Sequence, residues 1–130
     1  MIKQDYLLAM IEHFFKMIAR MLRLKETDPE AVEPELEKIY SQFLNNNRAY
    51  FLTTGLSNLY QAFGESEKGI SQAEMLAELF YRELQLFDRP EINPLIARKL
   101  IGLYDYIDAQ TREFSIERMN RRKEIEQFLQ

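Results

Sequence analysis

Residues 71–87 read SQAEMLAELFYRELQLF. Met75, Leu76, Leu79, Phe80, Leu84 and Phe87 recur at steps of three and four, the period of a helix with one apolar face. A strand alternates at every second residue, and no segment of the chain does so for long enough to predict one. Ser71-Gln72-Ala73-Glu74 reads as a capping box, with the serine reaching forward and the glutamate reaching back. The helix is therefore predicted to start at Ser71 and end near Phe87, after a loop GESEKG.

The same period extends in both directions. Toward the N-terminus, Leu52, Leu56, Leu59, Tyr60 and Phe63 predict a helix within 49–63. Gly55 weakens its middle, so that Thr53 or Thr54 could cap a shorter one. Before it, TDPEAVEPELE opens a helix capped by Asp28 with Pro29 in its first turn, or started at Pro34. Val32, Leu36, Ile39, Tyr40, Phe43 and Leu44 form its narrow stripe, and Asn45-Asn46-Asn47 ends it.

The first helix is predicted over 4–24. Leu7, Met10, Ile11, Phe14, Phe15, Ile18, Met21 and Leu22 share a face. With Tyr6, Leu8, Met17 and Leu24 the apolar arc spans roughly 200°. Toward the C-terminus, DRPEIN makes a turn. Asn93 then caps and Pro94 starts a helix that carries Ile96, Leu100, Leu103, Tyr104 and Ile107 to about Ala109. Ser115 begins a last helix whose apolar positions, Ile116, Met119, Ile125, Phe128 and Leu129, are split by Arg121-Arg122-Lys123. It is expected to dock loosely or fray.

These readings give an all-α chain of five or six helices. Short connections favour antiparallel helical hairpins, as a bundle or a short tetratricopeptide-like stack. A length of 130 residues fits a single helical domain over 1–130. The tetratricopeptide consensus itself is not satisfied in any register, and the chain has no tryptophan.

The start MIKQDYLLAMIE and the ending FSIERMNRRKEIEQFL resemble those of a family of small bacterial helical proteins of unknown function. The resemblance implies a tetratricopeptide-like helical arrangement and a bacterial source. It implies no activity and brings no site residues.

Composition excludes several kinds of chemistry. The chain has no cysteine, so disulfides, thiolate nucleophiles and cysteine-held zinc or iron–sulfur groups are out. It has one histidine, His13, at the polar edge of the first helix. Glu12 points about 100° away from it, and its neighbours one turn off are Ala9, Lys16 and Met17. His13 reads as a surface side chain without a proton-transfer role. Met10 and Lys16 stand three residues either side of it, so the paired Glu-x-x-His site of dinuclear bundles cannot be built. Asp105 and Asp108 could share a hard cation, but an ordinary ion pair, with Arg112 for example, is the simpler reading. Glycine-rich phosphate loops are missing.

The net charge of −4 argues against general nucleic-acid binding. It is unevenly spread: residues 1–25 carry five basic and two acidic side chains, and residues 26–90 five and twelve. No stretch reaches the roughly 18 uncharged apolar residues of a membrane span. MIKQDYLLAM does not read as a secretory signal, and a cytoplasmic protein is expected.

No catalytic, cofactor or metal residues are expected, and the chain is read as a non-enzyme. The leading expectation is a non-catalytic protein–protein interaction or scaffold module, self-associating as a homodimer because the first helix has apolar surface on two sides. One alternative is a peripheral membrane module using the basic amphipathic first helix, with Lys16, Arg20 and Arg23 on its polar face. Another is a small-ligand binder or enzyme with a pocket of carboxylates and tyrosines. Tyr50, Tyr81 and Tyr106 fall off the apolar stripes and would be contact anchors if clustered.

Overall fold

A computed structural model describes residues 4–129, and the chain is all-helical, with no strand among those residues. Met1, Ile2 and Lys3, which open the stretch that carries the resemblance, lie outside the described residues. The helices are α1 (Asp5–Thr27), α2 (Val32–Leu44), α3 (Arg48–Thr53), α4 (Leu56–Phe63), α5 (Glu67–Leu86), α6 (Asn93–Thr111) and α7 (Ile116–Ile125). Short 3-10 turns lie at Pro29–Ala31 and Glu126–Leu129.

Among the described residues seven α-helices stand where five or six were predicted, because the segment 49–63 breaks in two. Thr54 is extended, with φ −87° and ψ 132°, and Gly55 takes the N-cap position of α4. Neither threonine caps α4; the weak helix former itself marks the break. The chain divides at this point into two compact units, Met1–Thr54 and Gly55–Gln130.

In the first unit α1 packs along α2. Phe14 meets Phe43 edge to face at 5.3 Å, and Tyr40 stacks on Phe51 at 5.7 Å. Leu7, Phe14, Ile18 and Met21 are buried with Leu36, Ile39 and Tyr40. The entry to α2 is more compact than a simple cap. Pro29 starts a 3-10 turn after Asp28, and Pro34 falls in the first turn of α2, where its missing N–H has no intrahelical partner to lose. At the far end Asn45 adopts the left-handed conformation, φ 57°, as expected for a helix-ending asparagine.

In the second unit α5 packs most extensively on α6. The N-terminus of α5 corrects the capping-box reading. The helix starts a turn earlier, at Glu67, and the Ser66 hydroxyl accepts from the Gly69 N–H at 3.1 Å. Ser71, read as the cap, is buried inside the helix. Gly69 supports the earlier start, because a Cβ there would strike the Phe63 and Gly64 carbonyl oxygens. Ser66-Glu67-Lys68-Gly69 is thus helix entry and not loop. Ser115, read as the start of the last helix, is its N-cap, accepting from the Arg118 N–H at 3.1 Å. Asn93 takes another role: it is buried, and its amide nitrogen donates to the Phe87 carbonyl at 2.9 Å, tying together the α5–α6 connection.

Candidate functional site

The structure draws attention to two places: the outer face of α1 in the first unit, and the polar seam between α5, α6 and α7 in the second.

On α1 the core takes one side of the apolar arc and leaves the other open. Leu7, Phe14, Ile18 and Met21 are buried, while Leu8 is 47% and Phe15 50% exposed. Ile11 and Leu22, on the same stripe, are half-buried, and Ala19 is exposed. Leu8, Ile11, Phe15, Ala19 and Leu22 lie within about 40° of Phe15 around the helix at 100° per residue. Asp5, Glu12, Lys16 and Arg23 are exposed along one edge of this stripe. Arg20 is also exposed, so Lys16, Arg20 and Arg23 form a solvated basic back as the sequence suggests.

His13 is exposed and tied into the first unit. The Gln42 side-chain amide donates to its Nε2 at 3.1 Å, and its ring tilts against Phe43 at 5.3 Å. Arg48 is buried near Glu33 and Glu37, at 3.8 and 3.9 Å.

The seam in the second unit is built from charge. Arg121 reaches from α7 to Glu78 on α5 at 2.6 Å, and Glu78 also accepts from Arg82 at 2.7 Å. The Arg121 guanidinium lies 3.9 Å from the centre of the Tyr81 ring, a cation–π contact. The Tyr81 hydroxyl donates to Glu124 at 2.5 Å. Burial pulls the Arg121 guanidinium downward, but the hydrogen bond and charge of Glu78 outweigh it, and its pKa is raised. Burial, with the Glu124 hydrogen bond behind it, raises Tyr81. Tyr104 sits beneath, its hydroxyl without a hydrogen bond of good geometry although Arg121 is near enough to act on it. Burial dominates there, and the Tyr104 pKa is pushed up to about 12.

Asp105 and Asp108 are taken up by arginines. Arg122 bonds both, at 2.7 and 2.8 Å, and Arg118 bonds Asp108 at 2.6 Å. The ion-pair reading holds, with the partners coming from α7 and not from Arg112, which is the left-handed C-cap of α6. Among the described residues no group of three or more His, Asp or Glu is placed to hold a metal ion. Glu83, fully buried, is bonded by Arg89 at 2.8 Å.

Of the tyrosines that would be anchors if clustered, Tyr50 meets Phe51 edge to face in the first unit. In the second, Tyr81 belongs to the buried seam, and Tyr106 stacks on Tyr60 at 4.0 Å.

The last helix docks chiefly by its charges. Of its apolar positions, Ile116 and Met119 are 63% and 38% exposed. Arg118, Arg121 and Arg122 face inward with Ile125, which is 1% exposed. The signal was present in the sequence: 118, 121, 122 and 125 keep the helical period, carried by arginine in place of leucine. The chain matches no protein-family model, no curated protein and no solved structure in the comparisons made.

Proposed function

We propose that the chain is a non-catalytic interaction or scaffold module of a bacterial cell, acting in the cytoplasm through the outer face of α1. The observation that carries the reading is the half-open apolar stripe of Leu8 and Phe15 on a helix whose adjoining flank, Leu7, Phe14, Ile18 and Met21, is packed in the core. Monomeric surfaces scatter single apolar side chains; an ordered stripe on one helix is the form that binds another helix or a groove. The seam of the second unit supports it from the other side, because its arginines and carboxylates are engaged with each other. The packing of α1 on α2 and of α5 on α6 across short connections fits helical hairpins of tetratricopeptide-like kind.

Retention of polypeptides from a lysate of the source organism tests this. The wild-type chain is expected to hold a defined set that the folded variant Leu8→Glu/Phe15→Glu loses. A set unchanged by the double variant would remove the stripe from the function. A thermal shift with a metabolite or divalent ion would favour a small-ligand binder instead.

A second reading has its own observation: Lys16, Arg20 and Arg23 are exposed on the helix that carries the stripe. That combination suits an anionic membrane surface. No helix among the described residues is long and apolar enough to cross a membrane. Sedimentation with anionic vesicles separates surface binding from protein binding.

A further inference from the structure

The charges beside the α1 stripe are arranged to match a second copy of the same helix. We propose that two chains associate through α1 as an antiparallel, two-fold symmetric helix pair centred on Phe15. The inference rests on the interaction-module reading and names its partner.

The argument starts from the order of charges. Asp5 and Glu12 lie in the first half of α1, Lys16 and Arg23 in the second, and all four are exposed. At 100° per residue they fall on the same side of Phe15, Glu12 about 60° from it, Asp5 and Arg23 about 80°, and Lys16 about 100°. Two antiparallel helices are exchanged by a two-fold axis perpendicular to the plane containing them. That operation reverses position along the helix and keeps each side chain on its own side of the seam. With Phe15 at the axis, residue 8 faces residue 22 and residue 11 faces residue 19. Leu8 then meets Leu22 of the second copy, and Ile11 meets Ala19, whose small side chain lets the helices approach.

The charged edge closes in the same register. Asp5 comes level with Arg23 of the second copy, and Glu12 with Lys16, each within about 3 Å along the axis at 1.5 Å per residue. Symmetry doubles the set to four opposite-charge pairs around an apolar strip, the arrangement that fixes orientation in helix pairs. A parallel pair turns this edge toward the side of Ile11 and Ile18, where it finds no opposite charge. The absence of cysteine makes the register directly measurable with single introduced thiols.

Light scattering after size exclusion, from micromolar to hundreds of micromolar, reads the association. The expected result is a dimer of twice 15.6 kDa, persisting at high salt because its centre is apolar. Phe15→Glu is expected to give a monomer with an unchanged circular dichroism spectrum, since Phe15 lies outside the core. Glu12→Lys is expected to raise the dimer Kd about tenfold or more through like-charge contact, and Glu12→Lys/Lys16→Glu to restore it.

Orientation is read by oxidation. Phe15→Cys should crosslink to itself. Leu8→Cys should crosslink when mixed with Leu22→Cys and not alone. A wild-type monomer at all concentrations overturns the dimer; if Leu8→Glu/Phe15→Glu still loses lysate polypeptides, the interaction-module reading survives it. A Leu8→Cys chain that crosslinks efficiently to itself overturns the antiparallel register. A monomer that sediments with anionic vesicles in a Phe15-dependent manner replaces the second copy with a lipid surface.

Discussion

The first and last helices of this chain are held by opposite means. α1 carries more apolar surface than its unit covers, so Phe14 is fully buried while its neighbour Phe15 stays half exposed. α7 carries too little, and it is held by Arg118, Arg121 and Arg122 on carboxylates of α5 and α6, with Ile125 as its buried apolar residue. The difference shows that hydrophobic period announces a helix without saying which side of it will be covered. A wide apolar arc can leave half of itself for a partner. A helix with a charged face can still dock if carboxylates stand opposite.

The sharpest way to break this comparison is at the neighbouring phenylalanines. Phe14→Ala removes a side chain that is 0% exposed and packed on Phe43. It is expected to lower stability by about 3–5 kcal/mol, a large part of the total for a small protein. Phe15→Ala, one residue on, is expected to change the stability of the monomer by about 1 kcal/mol, because half its surface is already in water. Urea unfolding of the two variants measures both. Equal losses would mean that the stripe belongs to the core and is not a free face.

The second test concerns the charge-held helix. Arg121→Met keeps the length of the side chain and removes its charge. Glu78 would retain Arg82 at 2.7 Å, so the carboxylate is not left alone. The expected loss is therefore that of one charge-assisted hydrogen bond, about 1.5–3 kcal/mol, and not the larger penalty of a stranded buried ion. Amide hydrogen exchange should quicken in α7 before α5 and α6. Arg122→Met should cost less, since its partner Asp105 is 67% exposed and such pairs contribute little. An equal effect from both would deny that burial decides the strength of the seam.

Much of the first unit was legible because its signals were local and apolar. The stripe Val32 to Leu44 is buried as read, and Asn45 ends α2 in the left-handed conformation. The misreadings arose where two signals competed. Ser66 and Ser71 both precede suitable residues, and the contact of Gly69 with the preceding turn, which no local pattern reveals, favours Ser66. Arg121-Arg122-Lys123 reads as a solvated run in isolation. Its meaning depends on Glu78, 43 residues earlier, and of the three Lys123 alone is exposed. The helical period of 118, 121, 122 and 125 could have been found by searching for charge at core spacing. The outer stripe of α1 was legible as an excess of apolar width, but the core took the side of Leu7 and Phe14, a choice made by α2.

The smallest effect at neutral pH is expected beneath the seam, at Tyr104. Burial holds its pKa at about 12, against 10.0 for an unperturbed tyrosine. The shift favours the neutral phenol in the folded state. Below pH 10 both states keep the proton and Tyr104 contributes its full share of stability. As pH rises past 10 the unfolded chain releases the proton first, so stability falls until the folded phenol also ionises near 12. At about pH 11 the share lost is about 1.4 kcal/mol. Tyr60, Tyr81 and Tyr106 are also raised, chiefly by burial, and add to the same alkaline loss. Tyr104→Phe should be near neutral at pH 7, since the buried hydroxyl it removes has no well-formed hydrogen bond. The variant should then lose less stability than wild type between pH 10 and 12, and its phenolate absorbance should lack the latest-titrating tyrosine. A Tyr104→Phe chain clearly destabilised at neutral pH would show that Arg121 spends its remaining donors on this hydroxyl. The seam would then reach from α7 through to α6 as one network, and the contrast with the apolar packing of α1 would be deeper still.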